Sequence, residues 1–243
     1  MSRTRELYER LVGHLDTSDF DAGERIGSER GLAEQFGVTR SELRAALDVL
    51  ESEGRIRRTI GRAGGVFSWD GKIERHLNAI EGVPDMLRQQ GFRCDTEVLG
   101  AEIAVATPIE CRALRLAAGA PVFRLRRRRD ANSVPLSLDS MSLPLHLVPG
   151  FASVSHDQSV YRMLAERYGI EAMSASETID VVRATVEQAT ILGVAVGDPL
   201  LEIHRVTYGQ DAVPFEFAHD FFRADRTRIT LRKHGARWKR TGG

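Results

Sequence analysis

Apolar residues recur at helical spacing through the first fifty positions and then give way to alternation. Leu7, Leu11 and Leu15, with Tyr8 and Val12 beside them, predict a helix over 4–15. Residues 16–25 are polar and read as a loop. Ser28 suits an N-cap for a second helix whose apolar face is Leu32, Ala33 and Phe36. Gly37 breaks that helix, because glycine enters a left-handed turn without steric cost. Thr39 and Glu42 then stand three apart, the spacing of a capping box. Leu43, Ala46, Leu47 and Leu50 at i, i+3, i+4 and i+7 define the third helix, with Gly54 at its end. Small Ala33 and apolar Leu43 around the turn allow two helices to cross closely at a steep angle. Two short strands, 55–60 and 66–69, flank the glycine-rich stretch 61–65. Three helices followed by a two-stranded ribbon make a winged helix-turn-helix domain over residues 1–70.

The remaining chain mixes periods. Residues 71–76 read as a linker opened by the turn Asp70-Gly71-Lys72, and 77–243 as a second domain. Residues 73–93 look helical, with a break at Pro84. Residues 94–106 are strand-like, and Thr107-Pro108 opens a short helix to Leu116. Residues 122–129 and 134–143 form a hairpin around 131–133. A helix over 159–168 ends at Gly169, a strand covers 176–184, and Thr185 opens another short helix. Residues 200–208 pair with 213–222, and 227–232 close the sheet. Strands joined mainly by hairpins, with helices between some of them, predict an α+β fold with an antiparallel sheet.

Charge sharpens this picture. The chain carries 34 basic and 34 acidic residues, and the first seventy residues hold 11 arginines against 13 carboxylates, a net of −2. DNA contact in this domain must therefore rest on placed arginines rather than bulk attraction. At 100° per residue the third helix turns Ser41, Arg44 and Asp48 away from its apolar stripe, with Arg40 at the margin. A solvated helix face has the same appearance. In the second domain Val122 to Arg129 alternates as a strand: Phe123 and Leu125 share a face with Arg127 and Arg129. A solvated edge would also carry such a run. If that face is the core, the two arginines need an anion, because an unpaired buried charge is very costly. Asp139, Glu216 or an anionic ligand would each serve.

Other chemistries find little support. The two cysteines, Cys94 and Cys111, lack zinc-site spacing, and the seven histidines show no His-x-x-x-His pattern. His204 and His219 read as core or sheet-surface residues. No nucleophile elbow or phosphate-binding loop is present, so neither a metal nor a cofactor is expected. The charged start MSRTRELYER and the short apolar runs predict a cytoplasmic protein with reduced thiols and no membrane span.

SERGLAEQFGVTRSELRAALDVLESEGRI followed by GRAGGVF resembles the DNA-binding domain of the GntR family of bacterial regulators over residues 5–69. The resemblance implies that Arg30, Arg40 and Arg44 contact bases or phosphates. Ser28, Thr39 and Ser41 are implied to add DNA-backbone contacts, and Gly61 and Arg62 of the wing to reach the minor groove. Gly27 replaces a proline common in the family, and the wing carries one extra residue. RRRRDANSVPLSLDSMSLP, SVYRMLAERYGI, ATILGVAVGDPLLEIHRVTY and VPFEFAHDFFRADRTR make residues 77–235 similar to the UTRA effector-binding domain of the HutC-type branch. That likeness implies a phosphate held by Arg127 and Arg129 with help from Ser159. It also implies polar ligand contacts from Asp139 and Glu216 and a ring at Phe222, where a tyrosine is common. The combined expectation is a homodimeric repressor on a pseudo-palindromic operator, released by a small anionic effector. Two alternatives are a second domain that only dimerises and an enzyme, since UTRA domains resemble chorismate lyase.

Overall fold

Capping chemistry sets the first elements of the chain. A computed structural model describes residues 3–18, 20, 23–59, 64–154, 156 and 159–231. It divides into two compact units, Met1–Lys72 and Ile73–Gly243. In the first, α1 (Arg3–Thr17) is followed by β1 (Arg25–Gly27), α2 (Glu29–Phe36), α3 (Arg40–Ser52), β2 (Ile56–Thr59) and β3 (Gly65–Ser68). The Ser28 hydroxyl accepts from the Gly31 amide at 3.0 Å and caps α2. Gly37 closes that helix at φ 66°, a left-handed conformation. Thr39 and Glu42 form a complete capping box on α3: the Thr39 amide donates to Glu42 Oε2 at 3.0 Å, and the Glu42 amide donates to Thr39 Oγ1 at 3.2 Å.

Leu7 and Leu11 of α1, Leu32 and Ala33 of α2, and Leu43, Ala46, Leu47 and Leu50 of α3 are buried in one cluster with Ile56 and Val66. Fully burying each such leucine contributes roughly 1.5–3 kcal/mol. This core fixes the angle between α2 and α3. Part of the stretch expected as loop forms β1 instead. It pairs antiparallel with β3, which also pairs with β2, so the ribbon becomes a three-stranded sheet of order β1-β3-β2. Gly61 and Arg62 lie outside the described residues.

The second unit begins with β4 (Ile73–His76) and α4 (Val83–Gln89). Residues 73–76, expected in a linker and as the start of a helix, are thus a strand. Pro84 opens α4 from its first turn rather than breaking it, a place where its missing N–H is harmless. Next come β5 (Cys94–Val105), α5 (Pro108–Leu114), β6 (Pro121–Ala131), β7 (Val134–Pro144), α6 (Val160–Tyr168), β8 (Ser174–Arg183), α7 (Val186–Leu192), β9 (Pro199–Tyr208), β10 (Pro214–Arg223) and β11 (Thr227–Thr230). Six strands form an antiparallel sheet of order β5-β6-β7-β10-β9-β8. The 227–232 segment does not close this sheet: β11 pairs parallel with β4, Thr227 opposite Ile73. Both are short, and nothing in either stretch encodes its partner.

Asn132 and Ser133 both take positive φ, 50° and 65°, giving the two-residue β6–β7 hairpin the turn whose twist suits antiparallel strands. One face of the sheet packs Phe123, Leu125, Met141 and Phe215 against Phe151 and Leu164 of the covering segments. On the opposite face α7 buries Leu192 against Leu138 and Leu200, and α5 buries Leu114 against Val122. Glu110 anchors α5. Burial works against its charge, but hydrogen bonds from Arg124, Ser142 and Thr107 hold its pKa down, at about 2.

Gly37→Ala tests the turn. A Cβ there meets nothing within 4 Å, so its cost is conformational only. A loss of about 1–2 kcal/mol is expected in urea unfolding, with the slope unchanged.

Candidate functional site

Strand parity in the second unit does what the alternation of residues 122–129 requires. Phe123, Leu125, Arg127 and Arg129 all point inward and are buried; the Arg129 side chain is only 2% exposed. The β6–β7 register sets Arg127 directly opposite Asp139. Arg127 Nε donates to Asp139 Oδ2 at 2.8 Å, and its Nη2 lies 2.6 Å from the same oxygen. Arg129 Nε donates to Asp139 Oδ1 at 3.2 Å and its Nη1 to Thr96 Oγ1. Two buried guanidiniums therefore share one carboxylate. Burial, and next the charge of Arg127, pull the Arg129 pKa below its ordinary value, with Asp139 opposing.

These groups line a partly open cleft walled by β6, β7, β9 and β10, residues 81–84 and the start of α6. Ser159 stands at the N-cap of α6 without capping it. Its buried hydroxyl has no hydrogen-bond partner among the described residues. The free amides and dipole at that helix end favour negative charge beside the two arginines.

The far side of the cleft is organised by Arg205. It reaches Glu216 Oε2 at 3.4 Å, Asp220 Oδ2 at 3.4 Å and Glu177 Oε1 at 3.3 Å. Burial opposes its charge, but Glu216, Asp220 and Glu177 raise its pKa well above the usual value. Glu216 also accepts from Tyr161 at 2.6 Å and from Thr207 at 2.5 Å. Asp220 is buried, which pushes its pKa up to about 6 even though Arg205 counters the shift. Arg75 of β4 donates to Glu177 at 2.5 Å, while its Nε has no partner among the described residues.

The structure thus gathers Arg127, Arg129, Asp139, Ser159 and Glu216 around one cleft. Phe222 is not among its lining residues. It is fully buried, with the Arg75 guanidinium 5.4 Å from its ring centre. Arg75, Tyr161, Arg205 and Asp220 were missed. Arg205 shares parity with Ile203 and Thr207, so the alternation argument applied to β6 finds it. Arg75 sits on a strand that was expected to be linker and helix.

In the first unit Arg40, Ser41 and Arg44 are exposed on the N-terminal turns of α3. Arg44 Nε donates to Glu29 Oε2 at 2.8 Å, and Arg30 pairs with Glu34 at 2.9 Å. Arg58 of β2 pairs with Glu51 at 2.6 Å and Asp48 at 2.5 Å. The acidic excess of this unit is partly counter-ion for its own arginines.

Residues 3–66 match the model of bacterial regulatory proteins of the gntR family, and residues 89–228 match that of the UTRA domain. The chain belongs to the UTRA-bearing branch of the GntR family. It is 30% identical over 224 residues to the probable fructoselysine utilization operon transcriptional repressor of Escherichia coli K12, covering 92% of this chain and 91% of that one. It is 32% identical to the transcriptional repressor NagR of Bacillus subtilis, covering 91% and 90%. The crystal structure of PhnF from Mycobacterium smegmatis superposes with a TM-score of 0.67 at 28% identity, over 94% of this chain and 99% of that one. This is a transcriptional repressor of the GntR/UTRA type rather than an enzyme. Its first unit binds operator DNA and its second a small-molecule effector. Among the described residues no helix is long and apolar enough to cross a membrane.

Two outcomes follow from the buried charges. Asp139→Asn removes the shared carboxylate and is expected to cost about 3–5 kcal/mol in urea unfolding, as for other broken buried pairs. For Asp220 the folded pKa of about 6 exceeds the ordinary 3.8. The stability from its bound proton is full below pH 4 and is lost as pH rises toward 6. Asp220→Asn should therefore gain stability relative to the parent as pH rises from 4 to 7. Parallel pH–stability curves would contradict this assignment.

Proposed function

We propose that this repressor leaves its operator when a small phosphorylated metabolite binds at Arg127, Arg129 and Ser159. The sharing of Asp139 by two buried arginines is the observation that carries the reading. A phosphate there would supply the missing negative charge, accept from both guanidinium forks and engage the idle Ser159 hydroxyl. Asp139, Glu216 and the groups around Arg205 would accept from hydroxyl or amine groups on the rest of the ligand. Phe222 would act through Arg75 rather than by touching the ligand. The E. coli relative, named for an operon that uses a sugar-derived amino acid, is consistent with a metabolite of this class.

On the DNA side, Arg40 and Arg44 of α3 would read bases or phosphates. Ser28, Thr39 and Ser41 would add backbone contacts, Arg30 a phosphate contact, and Gly61 and Arg62 a contact at the wing. The repressor would act in the cytoplasm as a homodimer, its two-fold axis mirrored by a pseudo-palindromic operator. Effector and operator would oppose each other reciprocally.

Fluorescence anisotropy on a labelled operator, at fixed salt, tests the effector side. Hexose 6-phosphates should release the DNA while the parent hexoses do not. Equal release by both, or by neither, would sink the anion reading. Ser159→Ala should leave thermal stability without ligand unchanged, since the hydroxyl bonds to nothing described, and weaken the sugar-phosphate response by about tenfold or more. Arg44→Ala should cost operator affinity about 1–3 kcal/mol with the fold intact by circular dichroism. Unchanged affinity would take that helix face out of DNA recognition.

A further inference from the structure

The sheet has a second polar centre on its other face, away from the effector cleft. Along β9, Ile203 and Arg205 point toward the cleft side while Glu202 and His204 point away. On β10, Ala218 and Asp220 take the first direction and His219 the second. The β9–β10 register sets His204 directly opposite His219. Their rings stack with centroids 4.1 Å apart, between the flanking rings of Phe217 and Phe221. Glu202, two residues before His204 and so on the same face, lies beside both. His219 Nε2 is 2.7 Å from Glu202 Oε1, and His204 Nε2 is 3.7 Å from the same oxygen.

We propose that Glu202, His204 and His219 bind a borderline divalent cation of the zinc class. Two imidazoles and one carboxylate are the donor set such ions take, through bonds of about 2.0–2.1 Å. Tetrahedral ligands at that radius stand roughly 3.3 Å apart. The separations of 2.7 and 3.7 Å straddle that value. One ligand atom from each of the three residues falls within 4.8 Å of the others, so small side-chain rotations complete the site.

Charge and access point the same way. Glu202 is 19% exposed and, among the described residues, has no arginine or lysine partner; its ion contacts are the two imidazoles. A divalent ion would supply the positive charge this carboxylate lacks. The imidazoles are 34% and 35% exposed, and His219 lines an open groove with Phe217, Ser140 and Arg126, which gives an ion a path in and room for a water ligand. The chain's histidine spacing hides the site, because the register across two strands creates it.

The test is calorimetric titration of the untagged full-length protein with zinc chloride in a weakly chelating buffer. One ion per chain is expected, with affinity falling about tenfold or more in Glu202→Gln and in His204→Asn, and binding lost in His204→Asn/His219→Asn. Binding that is absent in the parent, or undiminished in the double variant, would overturn the proposal; the second result would place the ion elsewhere, for example on Cys94 or Cys111. A second measurement needs no variant. Zinc should protect His204 and His219 of the parent protein from diethyl pyrocarbonate while His14, His76 and His146 react as before. Equal modification with and without zinc would refute the site even if the variants fail to fold.

Discussion

Asp139 is held between Arg127 and Arg129, and much of the effector-binding unit depends on how that charge imbalance is managed. An isolated guanidinium taken out of water costs several kcal/mol, and one carboxylate cannot fully compensate two. The sheet accepts this because the β6–β7 register aligns the three groups and Thr96 of β5 takes a further donor from Arg129. A slip of one residue would turn both arginines to the opposite face and put Arg126 and Arg128 among the apolar residues. The turn at Asn132 and Ser133 and the one-residue shift between Arg129 and Asp130 set this register together, so both are determinants of the cleft as much as of the fold.

The cleft is polarised along its length. At the Arg127 end positive charge and helix amides exceed the available carboxylate. At the Arg205 end Glu216, Asp220 and Glu177 outnumber the guanidiniums of Arg205 and Arg75. Burial raises the pKa of Asp220 there, against the pull of Arg205. One wall is short of anions and the other is rich in acceptors, and a ligand that neutralises the first while donating hydrogen bonds to the second suits both.

Much of this was legible in the chain, and the division follows contact range. The Ser28 cap, the Gly37 turn and the Thr39–Glu42 box are made within three or four residues, so their chemistry is written locally. The inward parity of Arg127 and Arg129 follows from strand alternation, and Asp139 stood among the expected partners. What escaped depends on distant pairing. Residues 73–76 are too short to show a period and become a strand only because β11 lies beside them. Arg75 went unseen for that reason, as did its place 5.4 Å from the centre of the Phe222 ring. The acids that hold Arg44 and Arg58 were counted in the charge balance, but their positions come from the packing of α2, α3 and β2.

Those acids bear on how the repressor finds its site. A DNA phosphate that approached Arg44 would displace the Glu29 carboxylate already in place, so the gain at that contact would be a difference between two ion pairs. Base edges that fit α3 would add what phosphates alone do not. On the proposed reading these ion pairs would trim the gain from phosphate contact alone and leave more of the affinity to base contacts.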